Sequence, residues 1–162
     1  MPGIMFVCHG NICRSTMAEF VMKHLVKKAG LEDEFLIESA ATSREEIGND
    51  THPGTKAKLR EVGIPFTRRK ARQLTAHDCE TFDYIIGMDY ENLRNIQRIA
   101  DDKDFEKIHL LLEYAPETYT GGVAGYGGTV KSIADPWYTD NFDATYNDVL
   151  AGCTGLLEYL TR

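Results

Sequence analysis

The chain has 162 residues, of which 43% are hydrophobic and 27% charged, and its formal net charge is -7. This length fits one domain with a full core, and no apolar run approaches the roughly 20 residues that a membrane span needs. The acidic charge argues against general nucleic-acid binding and the first residues carry no basic leader, so we expect a cytoplasmic protein with no nucleic-acid or membrane partner.

Four short apolar runs alternate along the chain with segments of helical pattern. The runs lie at residues 4–7, 35–37, 84–86 and 108–112. This alternation predicts an α/β fold in which a four-stranded parallel sheet is covered by helices on both faces. Ligands of such sheets bind beyond the carboxyl ends of the strands.

Helix signals follow the strands in chain order. We expect the first helix over about residues 15–28, with Thr16 and Glu19 as a capping box, while Ser15 could either cap this helix or face the preceding loop. Asp89 is expected to cap a later helix. The last helix should run to the C-terminus on a wide apolar stripe, made of Tyr146, Val149, Leu150, Cys153, Leu156, Leu157 and Leu160.

Two stretches, residues 39–56 and 114–141, are rich in glycine, proline and polar side chains. The first predicts a long loop before a short helix that ends near Gly63. The second contains the glycine-rich segment Gly121 to Gly128, and a loop this long inside a compact domain is usually functional. We interpret the glycine-rich segment as a surface insertion, with the alternative that it lets the loop around Asp135 move over a substrate.

Residues 8–15 read CHGNICRS and lie directly between the first strand and the first helix. A loop of backbone N–H donors, the Arg14 guanidinium and a helix N-terminus together form a site for a tetrahedral oxyanion such as phosphate. The same surroundings favour a thiolate at Cys8, which predicts a nucleophile beneath a phosphate cradle. The expected phosphate-binding residues are His9, Gly10, Asn11, Ile12, Cys13 and Ser15.

Other side chains fit phosphate-ester chemistry. Arg14 offers a planar fork that can grip two phosphate oxygens, and Ser15 could donate a hydrogen bond to the Cys8 sulfur. A phosphatase also needs a proton donor for the leaving oxygen. Asp135 is our candidate, because Trp137 and Tyr138 follow it and could flank a planar substrate; by itself, this segment could equally be a turn with core aromatics.

Further motifs occur in order along the chain: Glu38-Ser39-Ala40, Ala71-Arg72-Gln73, Phe82-Asp83-Tyr84-Ile85, Met88-Asp89 and Asp135-Pro136-Trp137-Tyr138. With CHGNICRS, they resemble the low-molecular-weight protein tyrosine phosphatases. The resemblance implies a single flavodoxin-like domain over residues 1–162 that hydrolyses phosphotyrosine without a metal or cofactor. It also implies that Cys8 is the nucleophile, Arg14 the phosphate clamp and Asp135 the general acid and later base.

The resemblance further implies a phosphotyrosine-containing protein as substrate, with a cognate tyrosine kinase as a candidate partner. It implies a reversible disulfide between Cys8 and Cys13 that protects Cys8 from overoxidation. Ile12 favours phosphotyrosine over phosphoarginine. Glu45 stands where many members of the family place an aromatic residue that lines the substrate entrance.

Some interpretations stay open at this point. His9, Thr16 and Arg69 depart from the family pattern. The basic residues at 68–70 and 72 fit either a solvated face with one structural ion pair or a site for acidic residues beside phosphotyrosine. The alternative functions are a thiol-dependent arsenate reductase, for which Cys79 would be the resolving cysteine, and a non-catalytic phosphotyrosine-binding module.

Overall fold

The computed structural model describes residues 1–124 and 131–162. Its centre is a four-stranded parallel sheet in the order β2-β1-β3-β4. The strands are β1 (Gly3–Cys8), β2 (Leu36–Ala41), β3 (Tyr84–Gly87) and β4 (Ile108–Leu110). The predicted parallel sheet is therefore confirmed, and its order is that of flavodoxin-like folds.

Helices cover both faces of this sheet. They are α1 (Arg14–Lys28), α2 (Pro53–Glu61), α3 (Ala76–Thr81), α4 (Tyr90–Ile99), α5 (Pro136–Thr139) and α6 (Phe142–Leu160). Alternate residues of β1 point to opposite faces, so that Ile4, Phe6 and Cys8 pack in the core beneath α1 and α6. Met5 and Val7 pack in the core beneath α3 and α4.

The helix predictions hold in part. The Asp89 side chain caps α4 and accepts from Asn92 N, as expected, and α6 begins at Phe142, one turn before the predicted stripe. The helix α3 was not predicted. The last strand, predicted over residues 108–112, ends at Leu110, and a 3-10 helix follows it. Among the described residues, no helix combines the length and apolarity needed to cross a membrane.

The predicted capping box at the start of α1 is wrong. The helix begins at Arg14, and no side chain caps it. The Thr16 hydroxyl instead donates to the carbonyl oxygens of Ile12 and Cys13. Glu19 faces inward, where it accepts from Ser39 Oγ. A buried polar partner therefore outcompetes the local capping interaction.

Residues 39–41 belong to β2, and the loop predicted from residue 39 starts only after this strand. The short helix before Gly63 is confirmed as α2. Of the glycine-rich segment Gly121 to Gly128, only residues 121–124 belong to the part of the chain that the structure describes. There, Val123 pairs with Ser132 in an isolated antiparallel bridge, which brings the chain back toward Asp135.

Candidate active site

Cys8 ends β1 at the carboxyl edge of the sheet, and the loop over residues 9–13 leads from it into α1. Asn11 has a φ of 59°, the left-handed conformation expected for it. The carbonyl oxygens of the loop bond outward: that of His9 accepts from Ser43 N, and that of Ile12 accepts from His52 N. Such a loop turns its amide N–H groups toward the pocket, which suits an anion.

The Cys8 sulfur lies in a hydrogen-bonded setting at the start of α1. Its Sγ is 3.1 Å from Ser15 Oγ and accepts from Ser15 N at 3.4 Å. Ser15 is fully buried, so the alternatives left open for its side chain are resolved in favour of the loop rather than the helix cap. The N-terminal end of α1 also favours negative charge at this sulfur.

A chain of buried hydrogen bonds supports Ser15 as a donor to a thiolate. Asn11 Nδ2 donates to Ser15 Oγ at 2.8 Å and to Ser39 Oγ at 2.9 Å. Ser39 in turn donates to Glu19 Oε1 at 2.5 Å. Since Ser15 Oγ already accepts from the amide, its own proton is available to a thiolate at Cys8.

Arg69 sets the orientation of the Asn11 amide from behind the loop. Its guanidinium donates to Asn11 Oδ1 at 3.0 Å, to Asn11 O and to Ser39 O. Because the Asn11 oxygen faces this cation, its NH₂ group must face the two serines. Burial lowers the pKa of Arg69, while the negative charges of Glu19 and Cys8 act in the opposite direction.

Arg14 lies beside the pocket, only 2% exposed. Its Nη1 donates to Asp89 Oδ2 at 2.6 Å and to the Ile133 carbonyl oxygen at 2.9 Å. Burial lowers the pKa of Arg14, but the charges of Cys8, Asp89 and Asp135 raise it overall. Arg14 Nε is buried and has no hydrogen-bond partner among the described residues, so this donor is free for a phosphate oxygen.

Asp135 lines the pocket and contacts Arg14. Its Oδ2 accepts from Arg14 Nη2 at 3.4 Å, and its Oδ1 caps the short helix α5 by accepting from Trp137 N. The side chain is 23% exposed, whereas Trp137 and Tyr138 beyond it are 57% and 84% exposed. The aromatic residues are therefore on the surface and not in the core, contrary to the turn-with-core-aromatics interpretation.

A pocket connects the loop after β1 with the segment around Asp135. It is lined by Cys8, His9, Gly10, Ile12, Cys13, Glu45, Glu46, Asp135, Trp137 and Tyr138. Most of the predicted site residues therefore lie together. Of the other predicted site residues, Asn11 and Ser15 shape the loop from behind, and Arg14 reaches the pocket through its contact with Asp135.

The four cysteines are free thiols. Burial, and next to it the negative charge of Cys8, raises the pKa of Cys13 to about 12. Burial also raises the pKa of Cys79 to about 11. Cys153 is buried on α6 beneath the sheet, as expected for a structural cysteine. The disulfide between Cys8 and Cys13 stays a prediction.

The predicted basic group divides into two partly buried members, Arg69 and Arg72, and two exposed ones. Arg69 binds the loop after β1, and Arg72 pairs with Asp78 at 2.9 Å and with Glu38 at 3.4 Å. Arg68 and Lys70 are exposed. The expected structural ion pair is therefore present at Arg72. Arg69, which binds the loop, and Arg72 are not free to bind a substrate.

Sequence reasoning missed several residues of this site. Asp89 was recognised only as a helix cap, although its place directly after β3 puts it at the ligand-binding edge of the sheet. Glu46 follows Glu45 into the pocket lining. His52 packs against Trp137 at 5.8 Å and stacks on Phe142 at 5.3 Å between ring centroids; no sequence signal pointed to this contact.

Comparisons with known proteins agree with this geometry. The family model for low molecular weight phosphotyrosine protein phosphatases matches residues 3–162. The low molecular weight phosphotyrosine protein phosphatase of Sus scrofa is 38% identical over 159 residues, which cover 96% of this chain and 93% of the relative.

Solved structures resemble the chain over almost its whole length. The structure of YfkJ from Bacillus subtilis matches with a TM-score of 0.89 and 37% sequence identity, and the match covers 99% of this chain and 95% of the YfkJ chain. SP-PTP, a low molecular weight protein tyrosine phosphatase from Streptococcus pyogenes, matches with a TM-score of 0.82 and 41% sequence identity. This match covers 99% of this chain and 93% of the SP-PTP chain. The chain therefore belongs to the low molecular weight phosphotyrosine protein phosphatase family.

Proposed function

We propose that this chain, acting as one catalytic domain over residues 1–162, hydrolyses phosphotyrosine through a phosphocysteine intermediate. The single observation that carries the proposal is that the Cys8 sulfur and the Asp135 carboxyl group line one pocket, while the buried Arg14 guanidinium lies beside this pocket in contact with Asp135. These three groups supply a nucleophile, a phosphate clamp and an acid.

In the first step the phosphate group binds between the loop amides and Arg14. The Cys8 thiolate attacks phosphorus, the bond from phosphorus to the tyrosine oxygen breaks, and Asp135 gives its proton to that oxygen. Asp135 pairs with Arg14 at 3.4 Å in the structure. A phosphate dianion would take over this arginine, and its negative charge would favour a proton on Asp135.

In the second step Asp135, now a carboxylate, takes a proton from a water molecule. The water oxygen attacks phosphorus, and the bond from phosphorus to sulfur breaks. Cys8 leaves as a thiolate and inorganic phosphate is released. The hydroxyl of Ser15 lies 3.1 Å from the sulfur and can donate to it as a thiolate when it departs, because Ser15 Oγ accepts from Asn11 and keeps its own proton for another partner. The chain therefore supplies the nucleophile, the acid and the base, and water is the second substrate.

The test is turnover of p-nitrophenyl phosphate and of phosphotyrosine peptides in the presence of a chelator. Cys8→Ser should abolish turnover and keep binding of a phosphate analogue. Asp135→Asn should slow hydrolysis most for esters with a poor leaving group. Equal losses for good and poor leaving groups would remove Asp135 from the acid role.

Other outcomes would favour the alternatives. Binding without turnover by the wild-type chain would indicate a phosphotyrosine-binding module. Consumption of thiol that depends on arsenate would indicate a reductase. The reductase needs a resolving cysteine, and Cys79 lies fully buried in the core beneath α3 and α4, on the other face of the sheet from Cys8.

The proposed substrate is a phosphotyrosine-containing protein in the cytoplasm. Four cysteines that stay free fit a reducing compartment. Ile12 lines the pocket with an apolar branched side chain, which suits an aromatic ester. Among the predicted partners, a cognate tyrosine kinase remains a prediction that a search for the phosphorylated protein would test.

A further inference from the structure

The mouth of the active-site pocket carries negative charge. Glu45 and Glu46 line the pocket together with Trp137 and Tyr138. The Glu45 side chain is 70% exposed and lies 2.9 Å from His9 Nε2. Among the described residues that line the pocket, none is a lysine or an arginine. The cation of this site therefore lies beside the pocket, at Arg14, whereas the mouth is acidic.

A second observation fixes where a substrate would lie against these glutamates. Arg14 is 2% exposed, and its Nε has no partner among the described residues. This buried donor, with the Cys8 sulfur, assigns the phosphate to the floor of the pocket. The ring of phosphotyrosine would then rise past Trp137 and Tyr138. The residues before and after it would emerge beside Glu45 and Glu46.

Three arginines of the neighbouring loops already have hydrogen-bond or ion-pair partners. Arg44 Nε donates to Gln73 Oε1 at 3.1 Å. Arg69 binds the back of the loop after β1, and Arg72 pairs with Asp78. The Glu45 carboxylate also contacts His9, but both side chains of that pair are exposed. Exposed ion pairs contribute little binding free energy. A cation on the substrate can therefore compete for the Glu45 carboxylate.

We propose that Glu45 and Glu46 select phosphotyrosine sites with lysine or arginine next to the phosphotyrosine. This specificity rests on the proposed function. A basic neighbour is attracted to the two carboxylates, whereas an acidic neighbour is repelled by them and by the overall charge of -7. This preference is the opposite of the one expected if the basic residues at 68–70 and 72 recognised acidic neighbours, the alternative that the sequence left open.

The experiment compares two phosphotyrosine peptides of equal length, one with lysine and one with glutamate on each side of the phosphotyrosine. The measured quantity is the ratio of their kcat/KM values, in which effects on the chemical steps cancel. Exposed ion pairs predict a preference of about tenfold for the basic peptide. Glu45→Gln and Glu46→Gln should each lower the ratio by about twofold to fivefold, and Glu45→Lys should lower it further.

The matched control is Glu32→Gln. Glu32 is an exposed glutamate just before β2, at the amino edge of the sheet and thus opposite the pocket. It removes the same charge from the chain and should leave the ratio unchanged. Raising the salt concentration to about 1 M, where the Debye length is about 3 Å, should bring the wild-type ratio close to one.

Equal kcat/KM values for the two peptides with the wild-type chain would overturn the proposal. So would a preference that Glu32→Gln lowers as much as Glu45→Gln, because the net charge would then explain it. Failure of the wild type to hydrolyse both peptides and p-nitrophenyl phosphate would instead overturn the proposed function. The two failures are therefore distinguishable.

Discussion

The hydroxyl of Ser15 offers the sharpest test of the proposed mechanism. Ser15→Ala removes the oxygen that lies 3.1 Å from the Cys8 sulfur and leaves the backbone N–H of residue 15 in place. The hydroxyl stabilises the sulfur when it leaves phosphorus as a thiolate. We therefore expect the variant to slow the hydrolysis of the phosphocysteine more than its formation.

The magnitude follows from the type of hydrogen bond. A bond to a charged group contributes about 1.5 to 3 kcal/mol, which corresponds to roughly a 10- to 150-fold change in rate. In the formation step, the thiolate is the attacking group, and loss of a hydrogen bond to it would make it more nucleophilic rather than less. Formation should therefore change less.

The assay is rapid mixing with p-nitrophenyl phosphate, which releases nitrophenol in the first step. Ser15→Ala should show a burst of nitrophenol of about one per active site, followed by slow turnover. Thr16→Val is the matched control: its hydroxyl is also buried and adjacent in α1, but it donates only to the carbonyl oxygens of Ile12 and Cys13. A slow first step without a burst, or the same burst in Thr16→Val, would refute the role of Ser15.

Three further predictions concern the phosphate clamp and the stability of the fold. Arg14→Lys loses the planar fork and should lower kcat/KM for p-nitrophenyl phosphate by about 10²- to 10³-fold. The hydrogen bond from Lys56 lowers the pKa of Asp50 to about 2, so this carboxylate stabilises the fold above about pH 4 and loses that effect as the pH falls toward 2; in urea unfolding, wild type and Asp50→Asn should differ at neutral pH and converge in acid. A Cβ at Gly155 would overlap the Tyr114 carbonyl oxygen, so Gly155→Ala should lower the free energy of unfolding by about 1 to 3 kcal/mol; an unchanged urea midpoint would contradict this packing.

Much of the fold could be predicted because its signals are local. Apolar runs of three to five residues such as 4–7, separated by helix-length segments, were sufficient for the parallel sheet. Asp89 could be predicted as a helix cap from its place before an amphipathic segment. The helix α3 escaped prediction because its six residues carry a single fully buried apolar side chain, Cys79, and no apolar stripe.

The supporting contacts of the site could not be predicted in the same way. Glu19 looks like a capping partner for Thr16, but in the fold it accepts from Ser39, 20 residues away. Arg69 looks like one member of a surface cluster, but it binds Asn11 across 58 residues of chain. Only the tertiary structure brings these partners together, so the sequence shows the groups of the loop but not the network that orients them.

The burial of the cysteines has a practical consequence for measuring this enzyme. Cys8 is 3% exposed and Cys13 is 4% exposed, so access alone does not separate them. The other sulfurs are protected from alkylation at neutral pH, because the pKa values of Cys13 and Cys79 are raised to about 12 and about 11, and Cys153 is sealed in the core. Any uptake of a small alkylating reagent at neutral pH would therefore report on Cys8 and titrate the competent fraction of a preparation.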